Sequence, residues 1–182
     1  ILVNDQNLIF TNNTTIYVYS LISKKIIYKY NFYKKFYKNY EKKIFFSIYK
    51  NNIYIADNLG YLYSIDYKNQ KLLWAKNYGI PFRSNLKFFQ NNLLISDIDN
   101  NIYAIDTDNG NKVWNFNTEN NLVKTDFLNN FALDKNILYF LNNNGNLYSF
   151  NLKNKLLRWV IDTKISTDLK SLNFLQAKPL VI

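Results

Sequence analysis

Carboxylates at alternate positions can supply oxygen ligands to a divalent cation. The chain has two such stretches, Asp97-Ile98-Asp99-Asn100 and Asp106-Thr107-Asp108-Asn109-Gly110. A calcium loop of the EF-hand type wants Gly at its sixth position and Glu at its twelfth. Counted from Asp106, Gly110 falls at the fifth position and Asn117 at the twelfth. The same residue types suit hairpin turns, where Asp and Asn side chains bond their own backbone, and the turn reading is preferred. With no Cys and no His, disulfides, thiol nucleophiles, zinc sites of the usual composition and a Ser-His-Asp arrangement are excluded. On this reading no residue takes a catalytic, cofactor-binding or metal-binding role.

The other chemistry-bearing stretch is basic. Residues 24–43 hold eight Lys and one Glu, a net +7 out of a formal charge of +10. Aromatics interleave with the cations from Tyr28 to Tyr40. Bases could stack on such rings while Lys meets phosphate, or the segment could rest on anionic headgroups. The plainer reading is a strand end and a long connection with solvated lysines. Only two Arg stand beside 21 Lys, which disfavours nucleic acid, because bidentate base readout prefers Arg. Contact with other proteins, with peripheral membrane contact as an addition, is the expectation. The patch singled out for it is Lys34, Lys35, Phe36, Tyr37 and Lys38. The 32 Asn, 20 Ile and 21 Lys are residues of A/T-rich codons, so part of the charge is compositional. No stretch approaches the 18 apolar residues of a membrane span.

These residues are carried by a repeat. Residues 15–28, 61–74, 101–114 and 146–159 line up without a gap. In each, a Tyr (Tyr17, Tyr63, Tyr103, Tyr148) precedes an aromatic (Tyr28, Trp74, Trp114, Trp159) by 11 residues. The periods are 46, 40 and 45 residues, so one constant hairpin is joined by variable loops. The fixed spacing assigns these aromatics to the core and not to a ligand-binding ladder.

Alternation supplies the elements. Tyr63 and Ile65 alternate with Leu62, Ser64 and Asp66 in a strand pattern. Further strands are expected upstream at Ile53–Ile55, Leu93–Ile95 and Ile137–Phe140, and before those at Phe45–Tyr49, Leu86–Phe89 and Asn130–Leu133. Turn residues such as Asn58-Leu59-Gly60, Asp99-Asn100 and Asn144-Gly145 separate them. Four strands at this period predict an all-β fold, a β-propeller of four-stranded antiparallel blades. The expected divisions are a first blade over residues 1–30, a basic connection over 31–43, and blades over 44–77, 85–117 and 130–162. Residues 179–182 read as the start of a fifth blade. The absent Met and these terminal strands read as an arc of a seven- or eight-bladed propeller.

The words Gly60-Tyr-Leu-Tyr-Ser-Ile-Asp66, Ile102-Tyr-Ala-Ile-Asp106 with Gly110-Asn-Lys-Val-Trp114, and Gly145-Asn-Leu-Tyr-Ser-Phe150 with Leu156-Leu-Arg-Trp159 resemble the pyrroloquinoline-quinone-type propeller repeat. The first repeat departs from it, with Tyr28 for Trp and Ser20 where Asp66 stands. The resemblance implies a non-catalytic scaffold at the periplasmic face of the outer membrane, assisting assembly of β-barrel proteins and binding other proteins through loops and sheet edges. No cofactor is expected in that role. The alternatives it leaves open are part of a quinone-dependent dehydrogenase, with pyrroloquinoline quinone and calcium held in other blades, and a propeller sensor of a signalling protein.

Overall fold

The computed structural model describes residues 1–32, 43–119 and 128–163. The described residues form strands and turns without helix. The strands are β1 (Leu2–Asn4), β2 (Asn7–Asn12), β3 (Thr15–Ser20), β4 (Lys25–Asn31), β5 (Ile44–Tyr49), β6 (Asn52–Asp57), β7 (Tyr61–Asp66) and β8 (Lys71–Asn77). They continue as β9 (Lys87–Phe89), β10 (Asn92–Ser96), β11 (Ile102–Asp106), β12 (Lys112–Phe116), β13 (Asn130–Asp134), β14 (Ile137–Leu141), β15 (Asn146–Asn151) and β16 (Leu156–Asp162). They build four antiparallel sheets of four consecutive strands each, the blades of a β-propeller-type fold. The chain divides into two compact units, Ile1–Pro81 and Phe82–Ile182, each holding two sheets. The expected fifth-blade strand at 179–182 lies outside the described residues.

The constant hairpin has a constant irregularity. In every sheet the register between the third and fourth strands shifts at one place, after Val18, Ser64, Ala104 and Ser149. One extra residue on the fourth strand takes up the shift: Ile27, Leu73, Val113 or Arg158. Each stands just before the repeat aromatic and points to solvent. Such a bulge bends and twists its strand. It also turns the aromatic onto the opposite sheet face from the repeat Tyr, because Trp74 pairs with Ser64 and Tyr63 pairs with Ala75.

The aromatic then lies across its sheet in a row. The rows read Ile9–Val18–Tyr28, Tyr54–Ser64–Trp74, Leu94–Ala104–Trp114 and Tyr139–Ser149–Trp159. Where the aromatic is Trp, the middle residue is Ser or Ala. The small residue leaves room for the indole to reach the third member of the row. Trp74 meets Tyr54 at 6.1 Å between ring centroids, and Trp159 meets Tyr139 at 6.0 Å. Where the aromatic is the smaller Tyr28, a Val fills the middle.

Within each unit, the first sheet buries this face against the other face of the second. In the first unit Ile9, Val18 and Tyr28 join a cluster with Ile53, Ile55, Tyr63 and Ile65 of the second sheet. In the second unit Leu94, Ala104 and Trp114 meet Phe131, Phe140, Tyr148 and Phe150 of the fourth. Phe116 sets its ring edge-on to Phe150 at 4.5 Å. Residues 82–85 tie the two sheets of that unit from both sides. Phe82 bridges Asp97, and Ser84 bridges Asn129. Asn85 exchanges two bonds with the backbone of Phe131, at 3.0 and 2.8 Å.

The buried Ser64 and Ser149 hydroxyls have no hydrogen-bond partner among the described residues. Ser64→Ala is therefore expected to leave urea-unfolding stability within about 0.5 kcal/mol of the parent. Ser64→Val overfills the row and costs about 1–3 kcal/mol in the same measurement. Gly60 has φ +88°, and a Cβ there would stand 2.8 Å from the carbonyl oxygen of Ile80 and 2.9 Å from its nitrogen. Gly60→Ala meets backbone in an unfavourable conformation and is expected to lower stability by about 2 kcal/mol or more, read by thermal unfolding.

Candidate interaction surface

Each sheet has two ends of different chemistry. At one end lie the turns between its second and third strands, and three of these close on a buried Asx residue: Asp57, Asp97 or Asn142, with 1%, 0% and 0% exposure. Asp57 Oδ1 accepts from the backbone N–H groups of Leu59 and Tyr61, both at 2.8 Å. Asp97 Oδ1 accepts from Asp99 and Asn101 in the same way. Asn142 Oδ1 accepts from Asn144 and Asn146. The second oxygen of Asp97 is taken by the Asn101 amide at 3.0 Å and the Tyr103 hydroxyl at 2.7 Å. Asp106 Oδ1 accepts from the N–H groups of Asp108 and Asn109. The alternating carboxylates thus act as turn formers. Among the described residues no three His, Cys, Asp or Glu side chains cluster at metal-ligand distances.

Burial raises the Asp57 carboxyl from an ordinary 3.8 to about 6, against the lowering effect of the backbone N–H groups of Tyr61, Leu59 and Gly60. Burial is also the first cause of the raised Tyr103 hydroxyl, with the bond to Asp97 adding to it. In the second unit this end carries a buried polar network. The Asn129 amide donates to Ser96 Oγ at 3.0 Å and accepts from the Asn143 N–H at 2.9 Å. The Ser84 hydroxyl receives the Ser96 N–H at 2.8 Å. These groups bond to one another and to the turn backbone.

The sheet edges differ again. Among the described residues the last strands β4, β8, β12 and β16 each pair on one side only. Exposed apolar residues alternate there with cations: Ile26 and Ile27 beside Lys25 and Lys29, Leu73 beside Lys71, Val113 beside Lys112. β16 is the most apolar, with Leu156, Leu157, Val160 and Ile161 between 41% and 60% exposed. Unpaired edges of this kind are templates for strand addition; the resemblance implied binding through sheet edges, and the pairing shows which strands form them.

The repeat aromatics lie in or over the sheet rows. Tyr63 and Tyr148 are buried, while Tyr17, Tyr28, Trp74, Tyr103, Trp114 and Trp159 are half-buried. Tyr17 stacks on Phe10 at 5.3 Å. The patch expected at Lys34, Lys35, Phe36, Tyr37 and Lys38 lies outside the described residues.

Asp57 links this end to pH. Its folded value exceeds its unfolded one, so its contribution to stability is full below about 3.8 and is lost as pH rises through about 6. Melting temperature is expected to carry a component that falls between about pH 4 and pH 6. Asp57→Asn removes that component, because Asn142 makes the same two bonds in the fourth sheet. A pH profile of the variant unchanged from that of the parent contradicts the assignment.

The comparisons with known proteins fit this architecture. A solved structure of BamB from Moraxella catarrhalis superposes with a TM-score of 0.68 at 15% identity, over 85% of this chain and 49% of that one. Sqt1 of Saccharomyces cerevisiae superposes with a TM-score of 0.63 at 16% identity, over 81% of this chain and 42% of that one. This chain thus spans about half the length of both structures, and at these identities the likeness is one of fold. No curated protein matches the sequence. The family model described as outer membrane protein assembly factor BamB matches residues 42–182, more than half of the chain. The chain belongs to that family of pyrroloquinoline-quinone-type propellers.

Proposed function

We propose that this chain is a non-catalytic propeller scaffold that binds other proteins in the assembly of outer-membrane β-barrels, at the periplasmic face of that membrane. The observation that carries the reading is the family match over residues 42–182. The structure supports a binding role in two ways. Among the described residues each sheet presents a last strand with an open, partly apolar edge. Several acidic and amide side chains of the turns are committed to holding the backbone, which gives the loops a defined shape for recognition. Lys34, Lys35, Phe36, Tyr37 and Lys38 are the proposed contact patch.

In-cell crosslinking from positions on β16 and from residues 34–38 is expected to capture a component of the outer-membrane assembly machinery. Reversing charge at Lys34, Lys35 and Lys38 is expected to weaken that capture about tenfold without lowering the melting temperature. Capture of no envelope protein, or a quinone absorbance in the purified full-length protein, overturns the reading.

A further inference from the structure

Positive φ is required at twelve turn positions in the four sheets, and the two ends of the sheets fill them differently. At the turns between second and third strands the residues are Asn13, Gly60, Asn100 and Gly145, with φ of 52°, 88°, 65° and 82°. Gly and Asn are the residues that tolerate this conformation best. At the opposite end, the turns after the first and third strands use Asp5, Lys24, Lys50, Gln70, Gln90, Gly110, Lys135 and Lys155. The four lysines have φ of 52°, 54°, 48° and 59°. Gly110, at 70°, shows that one of these turns accepts Gly. Codon bias does not account for the lysines, since the chain has 32 Asn. Strain kept where relief is one substitution away points to a function of the side chain.

In the first unit these tips are brought together. The Leu21 N–H donates to the Gln6 carbonyl at 2.8 Å, joining the two tips of the first sheet. Asn4 donates to the Tyr67 hydroxyl at 2.8 Å, and Lys68 pairs with Asp5 at 3.8 Å. These contacts seat a tip of the second sheet over a tip of the first. The surface so formed carries Lys24, Lys25, Lys50, Lys68 and Lys71 against Asp5 and Asp66, all but Asp66 exposed. Among the cations project Leu21 and Ile22, 46% and 73% exposed.

We propose that this hairpin-tip surface of residues 1–81 rests on an anionic phospholipid bilayer. An acidic protein calls for the cations alone. Two aliphatic side chains at the same tip add what a bilayer rewards, an apolar wedge entering the headgroup boundary while lysines meet its charge. The inference stands apart from the proposed scaffold role, since a surface-bound protein of any function would use it.

The test is sedimentation of the full chain with vesicles of mixed phosphatidylglycerol and phosphatidylcholine, with pure phosphatidylcholine as control. Binding to the mixed vesicles alone is expected, weakening with salt. Lys24→Gly with Lys50→Gly is expected to reduce the partition coefficient tenfold or more, at roughly fivefold per lysine. The same variant is expected to melt at the parent's temperature or a few degrees higher, because Gly relieves the backbone, so lost binding is not lost folding. Ile22→Ser is expected to weaken binding as well. Failure to bind mixed vesicles, equal binding to both kinds, or unchanged binding by the glycine variant overturns the proposal. So does binding to poly-glutamate in preference to vesicles, which assigns the surface to an acidic protein.

Discussion

A four-stranded sheet with apolar side chains on both faces cannot stand alone in water, and everything else in this chain follows from that. The repeat aromatic makes one face, the repeat Tyr makes the other, and burial is achieved by laying one against the next. In the first unit Val18 and Tyr28 meet Ile55 and Tyr63; in the second Ala104 and Trp114 meet Phe140 and Tyr148. Burial of apolar surface at about 25 cal/mol per Å² is what these aromatic and aliphatic side chains bring to each interface. Their size is tolerated only because a neighbour yields: Ser64, Ala104 and Ser149 are small where Trp crosses them, and Val18 is larger where Tyr does.

Turn chemistry solves a second problem, the unpaired backbone between strands. A buried carboxylate is an expensive way to hold a turn unless several N–H groups point at it. Asp97 has enough partners for both of its oxygens. Burial raises the affinity of Asp57 for a proton, against the pull of the backbone N–H groups that point at it. Asn142 does the same work uncharged. One structural role is thus filled by three side chains that differ in what they cost at neutral pH.

Much of this was legible from residue order. The Tyr-to-aromatic spacing and the alternation around Tyr63 located the hairpins, and the turn residues after Ile55, Ile95 and Phe140 separated the strands. Three things were not legible. The bulge leaves no mark in a one-dimensional pattern, because Ile27, Leu73 and Val113 look like core residues until the register shows them facing solvent. The strap at residues 82–85 reads as plain connection, since the links of Ser84 to Asn129 and of Asn85 to Phe131 join residues more than forty apart in sequence. Which strands form the open edges is invisible for the same reason, as edge status depends on which strands pair. Of the surface sought for recognition, the lysine patch at 34–38 came from composition, whereas the αL lysines emerged only from backbone angles.

The bulge also constrains how such a chain can diversify. A residue added to or lost from the hairpin would flip every later side chain of its fourth strand to the other face and expose the aromatic. A residue added between sheets changes nothing in the rows. The four repeats therefore tolerate differences in side-chain identity and in linker length but not in hairpin length. The periods of 46, 40 and 45 around an unvarying 11 are the record of that asymmetry.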